Sequence, residues 1–222
     1  LSAETSFEVF QEKYMSGCSC EVEVKNASQK KVLWLLLAIN AFMFVVELGF
    51  GWVAESTALI ADSLDMLADA VIYGIGLYAV GRSLQHKANA ALVSGYFQGI
   101  LGCLIVVDIL RRVWFGSEPV SELMMGVGFA ALVANLICLL LILKHRNGEV
   151  HMRASWICSR NDVIANVGVI IAGGLVGWFD SSWPDILIGG LVALVILRGV
   201  RSIIYEARKE LAEDKTGYRT ND

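Results

Sequence analysis

Six predominantly apolar stretches alternate with short polar ones, and each is long enough to cross a bilayer as a helix. The pattern predicts spans at about 32–53, 56–81, 92–115, 122–143 and 154–178, and a sixth from Pro184 that fades at about Tyr205. Polar residues interrupt these stretches in a regular way. The second, STALIADSLDMLADAVIYGIGLYAVG, carries Asp62, Asp65 and Asp69, whose offsets place all three on one helical stripe about 60° wide. An aspartate at mid-membrane costs roughly 2.5–3.5 kcal/mol on insertion scales, so three of them argue for an ion path, not a simple anchor. Asn40 and Glu47, one heptad apart, give the first span a polar face for its neighbour across the turn at Ala54 and Glu55. The third span holds Asp108 and a Gly95-x-x-x-Gly99 pair that would admit another helix closely, and the fourth holds Asn135. The fifth opens on Cys158-Ser159-Arg160-Asn161-Asp162 and turns rich in small residues, including Gly168, Gly173 and Gly177.

Composition narrows the class. A chain of 222 residues that is 56% hydrophobic, only 18% charged and positive in mean hydropathy is neither a typical soluble domain nor a disordered one. The expected fold is an all-α membrane protein with six transmembrane helices. Its domains are a cytoplasmic N-terminal segment at 1–31, a transmembrane transport domain at 32–205 and a short cytoplasmic tail at 206–222. Phe7, Phe10 and Tyr14 predict a short surface helix in the first of these. A cleavable signal peptide is not expected, because the first apolar run starts near Val32 and is of full span length. With a net charge of −4 and basic residues gathered at span ends, nothing offers a nucleic-acid surface.

Loop charge sets the orientation. Lys30, Lys31, Arg82, Lys87, Lys144, Arg146, Arg153, Arg198, Arg201, Arg208 and Lys209 fall on one side if six spans alternate, which puts both termini in the cytoplasm; Arg111 and Arg112 are a local exception. The expected location is the bacterial inner (plasma) membrane. The five cysteines do not form a disulfide framework: Cys103, Cys138 and Cys158 lie in apolar segments, and Cys18 and Cys20 sit near the N-terminus.

The chemistry is carried by two i, i+4 pairs, Asp65 with Asp69 and Cys158 with Asp162. Facing each other, they would set three carboxylates and one thiolate around a point, a workable tetrahedral set for Zn²⁺ or Cd²⁺. Neither pair is specific alone, since paired carboxylates also serve proton relays or helix contacts and a cysteine in a span is ordinarily a small packed hydrophobe.

The segments GWVAESTALIADSLDMLADAVIYG and SWICSRNDVIANVGVIIAG resemble the second and fifth transmembrane helices of cation diffusion facilitators, each with a metal-binding quartet. FVVELGFG is similar to the end of that family's first helix and WPDILIGG to the start of its sixth. The resemblance implies transport-site ligands at Asp65, Asp69, Cys158 and Asp162, with Cys158 standing where the family usually has histidine and shifting preference towards softer ions. It implies a short branch without the cytoplasmic C-terminal domain, and hence a homodimer held through transmembrane helices, for which Gly95 and Gly99 are one surface; packing within one protomer is the competing use of that pair.

No enzymatic activity is expected. The expected substrates are divalent cations, Zn²⁺ with Cd²⁺ also accepted, exported from the cytoplasm in exchange for protons. Acidic groups crowded in low dielectric cannot all ionise, and a divalent ion needs them deprotonated, so metal and protons exclude each other. The alternative is a membrane metal sensor with the same ligands and no net flux. Asp62 is expected to support through helix–helix hydrogen bonding, Asp108 to pair with Arg111 or Arg112, and Asn166 to sit behind the ligands.

Overall fold

A computed structural model describes the backbone of residues 27–78, 84–145 and 150–216, and the side chains of residues 30–78, 85, 86, 88–143, 161–209, 211 and 212. The expected N-terminal surface helix and Cys18 and Cys20 lie outside the described residues. Six helices run through the rest: α1 Ala27–Val53, α2 Thr57–Tyr78, α3 Leu84–Phe115, α4 Ser121–His145, α5 Val150–Phe179 and α6 Trp183–Thr216.

The order of elements matches the six expected spans, and the differences lie at the ends. Helix α6 continues past Tyr205 to Thr216, because Glu206 to Lys215 is a run of mostly Ala, Glu, Lys, Arg and Leu, residues that favour helix even where the pattern turns polar. Helix α3 likewise begins at Leu84 and α5 at Val150, inside what reads as polar loop.

Among the described helices, α1, α3, α4, α5 and α6 are long and apolar enough to cross a membrane. Their outward faces are apolar as well: Phe42, Val107, Phe129, Leu140, Ile164 and Leu187 are all exposed, as suits a surface meeting lipid. Helix α2 is different. At 22 residues it is about 33 Å long, enough to span, but its aspartates remove it from the apolar class. Position resolves the conflict, because α2 packs against all five other helices and its acidic stripe meets protein instead of lipid.

Local chemistry fixes that central helix tightly. Helix α1 ends in a Schellman turn: Glu55 takes a left-handed φ of 47°, Ser56 N–H donates to Gly51 O at 2.9 Å and Glu55 N–H to Trp52 O at 3.3 Å. Ser56 then caps α2, its Oγ accepting from Leu59 N–H at 3.1 Å. One residue thus closes the first helix and opens the second.

Small residues set the other close approaches. A Cβ on Gly95, Gly99 or Gly102 of α3 would come within 3.0 Å of Ile204, 3.2 Å of Val200 and 2.7 Å of Leu197, all on α6. The Gly95 and Gly99 surface therefore serves packing inside the protomer, because these glycines are what let α6 lie against α3. Gly173 seats α5 on Met124 of α4 in the same way, at 2.9 Å.

Buried apolar clusters close the bundle at two levels. Val32, Leu33, Leu36, Tyr73, Cys138 and Ile142 lie towards the end where α1 begins. Ala58, Leu59, Met124, Val169 and Val176 lie towards the end with the Glu55 turn. The polar side chains sit between them.

Candidate metal-binding site

Asp62, Asp65 and Asp69 of α2, Asn135 of α4 and Asp162 of α5 line a single cleft, with Met66 as its apolar wall. The stripe predicted from spacing is therefore real, and it faces α5. Asp162 lies within hydrogen-bonding reach of both Asp65 and Asp69, and Asp69 also meets the Tyr73 hydroxyl one turn further along α2. Among the described residues no lysine, arginine or histidine lines the cleft. Carboxylates gathered without a basic partner in low dielectric are stable only when protons or a cation neutralise them.

Unsatisfied polar atoms concentrate on the same helices. Asp62 Oδ2, Asp162 Oδ2, Asn135 Nδ2, Asn40 Oδ1, Asn166 Oδ1 and both carboxylate oxygens of Glu47 are buried with no hydrogen-bond partner among the described residues. Each such atom costs about 1–3 kcal/mol in an ordinary core, so the concentration marks a place built for something other than packing.

Asp65, Asp69 and Asp162 come together as expected from sequence. Cys158 lies on α5 one turn before Asp162, and its side chain falls outside the described ones. Among the described residues no three His, Cys, Asp or Glu side chains form a group that would hold a metal ion. Asp62 lines the cleft as well, and its Oδ2 has no hydrogen-bond partner among the described residues. Asn166 donates to the Asp162 backbone carbonyl at 2.7 Å. Asn40 and Glu47 are fully buried, as a polar face shared with α2 requires. Asp108 pairs with Arg111 at 3.0 Å and Arg112 at 2.5 Å, the expected use.

One buried network was not expected from sequence. Asp185 of α6 accepts from Ser56 Oγ at 2.6 Å, Thr57 N–H at 2.7 Å and Ala58 N–H at 2.9 Å, so a second helix caps the start of α2. Arg112 of α3, also buried, donates to Glu55 O beside it. Gly189 makes this approach possible, since a Cβ there would fall 2.7 Å from Thr57 Cγ2. The only sequence signals were the Ser56-Thr57 helix start and an aspartate just after Pro184, and neither says that they meet.

A bundle of long apolar helices closed around a buried acidic cleft defines an integral membrane protein. Residues 33–212 match the model of the cation efflux transmembrane domain, and the chain belongs to that family. Relatives include a zinc transporter ZitB of Yersinia pseudotuberculosis, 28% identical over 201 residues, which cover 84% of this chain and 64% of the relative. A cadmium, cobalt and zinc/H(+)-K(+) antiporter of Bacillus velezensis is 23% identical over 207 residues, covering 86% of this chain and 66% of its own. The metal cation efflux system protein CzcD of Cupriavidus metallidurans is 23% identical over 181 residues, covering 76% and 57%. The chain thus spans between 57% and 66% of the length of these curated relatives.

Proposed function

We propose that the protein moves divalent metal cations, Zn²⁺ or Cd²⁺, out of the cytoplasm in exchange for protons. The observation that carries this reading is the convergence of Asp62, Asp65, Asp69 and Asp162 on one buried cleft with no basic side chain among its described lining residues. Relatives named for zinc, cadmium and cobalt transport, one of them as an H(+)-linked antiporter, support the same substrates here.

In this reading Asp65, Asp69, Cys158 and Asp162 bind the ion. The cleft holds protons when empty of metal, and a divalent cation displaces them because its ligands must be deprotonated. Reprotonation from the far side then releases the ion. Asn135 and Asp62 line the cavity, and Glu47 of α1 is a further fully buried carboxyl on the helix packed against α2. Cysteine among the ligands favours Zn²⁺ and Cd²⁺ over Mg²⁺ and Mn²⁺. The basic loop residues favour cytoplasmic termini in a plasma membrane, with 32–205 as the transport unit and the rest of α6 projecting as a polar helix.

The test is flux in proteoliposomes carrying a pH gradient. The native chain should accumulate Zn²⁺ or Cd²⁺ against it, while Asp69→Ala and Asp162→Ala should be inactive. Undiminished flux in both variants would remove the site assignment, and saturable binding without flux in the native chain would make the protein a sensor.

A further inference from the structure

One outward stripe of α6 changes character along its length. Leu187, Leu191 and Leu194 are exposed and apolar, and Arg198, Arg201 and Tyr205 continue the same face, exposed as well, within a stripe about 80° wide. Both arginines fall inside the run Trp183–Lys209 that is long and apolar enough to cross a membrane. Arg198 stands roughly 22 Å along the axis from Trp183, against a hydrocarbon core about 30 Å thick. A guanidinium on such a face needs an anion.

Other arginines of the bundle have partners within it. Arg111 and Arg112 share Asp108, and Arg208 donates to the Tyr96 hydroxyl and lies 5.9 Å from the centre of its ring. Arg198 and Arg201 pair with no carboxylate among the described residues. The sequence explains why, since neither 186–205 of α6 nor 84–107 of its close neighbour α3 contains Asp or Glu. A second copy does not supply the charge either. Two copies with the same orientation in one membrane bring like ends together, and the exposed acids Glu55, Glu118, Glu122 and Asp180 lie at the opposite end of the bundle.

A phospholipid presents a phosphate and then acyl chains in the order in which the stripe presents arginines and then leucines. Helical side chains lean towards their own N-terminus, so on α6 these guanidinia lean into the span and the phosphate is drawn in to meet them. Two cations with no carboxylate beside them to receive a choline or ethanolamine ammonium select a headgroup of net negative charge. We propose that this face of α6 binds an anionic phospholipid, its phosphate held by Arg198 and Arg201, Tyr205 beside the headgroup, and one acyl chain along Leu194, Leu191 and Leu187. The site stands apart from the acidic cleft and does not depend on the transport reading.

The test uses the full chain in detergent micelles doped with dioleoylphosphatidylglycerol or dioleoylphosphatidylcholine, with retained lipid counted by native mass spectrometry. The native chain should retain the anionic lipid at the lower concentration. Arg198→Gln and Arg201→Gln should each weaken that retention about fivefold and leave the choline lipid unchanged, while Arg201→Lys keeps most of it. Arg111→Gln, at the other end of the bundle, should have no effect. Equal retention of the two lipids by the native chain, or a matching loss in Arg111→Gln, overturns the site. A fall in oligomeric mass in the two glutamine variants with lipid preference intact gives the face to a second copy and overturns it too.

Discussion

At the scale of single residues, the carboxylates of the cleft were legible because a helix writes its faces into sequence at intervals of three and four. Asp65 with Asp69, and Asp162 at the same offset from Cys158, mark two stripes by spacing, but that one stripe meets the other is not written in the spacing. Cys138 and Asn40 were not legible as hydrogen-bond partners, because they lie on different helices and neither has a polar neighbour at helical spacing on its own helix that points to the other. Glu55 shows a different limit. Its left-handed φ of 47° is imposed by the turn, and nothing in the chain's pattern signals that a side chain occupies a position that glycine fills more easily. Glu55→Gly should therefore raise the melting temperature in detergent, by an amount equivalent to about 1 kcal/mol, since Arg112 binds the Glu55 backbone carbonyl, which glycine retains. A lower melting temperature would show that the Glu55 carboxylate matters more than its backbone.

Among the helices, the decisive element is α2, and its anchorage is polar at one end. Asp185 joins α6 to the first turn of α2 by three hydrogen bonds, and Arg112 holds the preceding turn from α3. Asp185→Ala strips the acceptor from three donors at a fully buried site and should cost about 1–3 kcal/mol, the range for leaving buried polar groups unsatisfied. Denaturation of the purified variant measures this, and an unchanged transition would mean that the cap is replaceable by solvent. The existence and order of the helices were readable from hydropathy, and their ends were not. Polar segments such as Glu206 to Lys215 stay helical through propensity alone, which a hydrophobic pattern does not register.

For the whole molecule, the expected dimer surface on α3 is spent on α6. Gly99 is 3.2 Å, by its would-be Cβ, from Val200, so Gly99→Leu should overpack the protomer and destabilise it by about 1–3 kcal/mol without changing its oligomeric mass. Light scattering beside a thermal melt separates the two effects. A change in mass with an unaltered melt would return those glycines to an intermolecular role. The choice between the two uses was beyond sequence, because a small-xxx-small pair states only that some helix comes close.

The shared residue at the α1–α2 junction bears on how the chain enters a membrane at all. With Ser56 closing one helix and opening the next, only the turn from Ala54 to Ser56 separates α1 from the acidic α2. During synthesis α2 is too polar to leave a translocon for lipid unaided, and the helices that later surround it from the C-terminal side have not yet been made. The two must therefore be delivered as a hairpin, with α1 shielding the aspartates of α2 until α3 to α6 arrive.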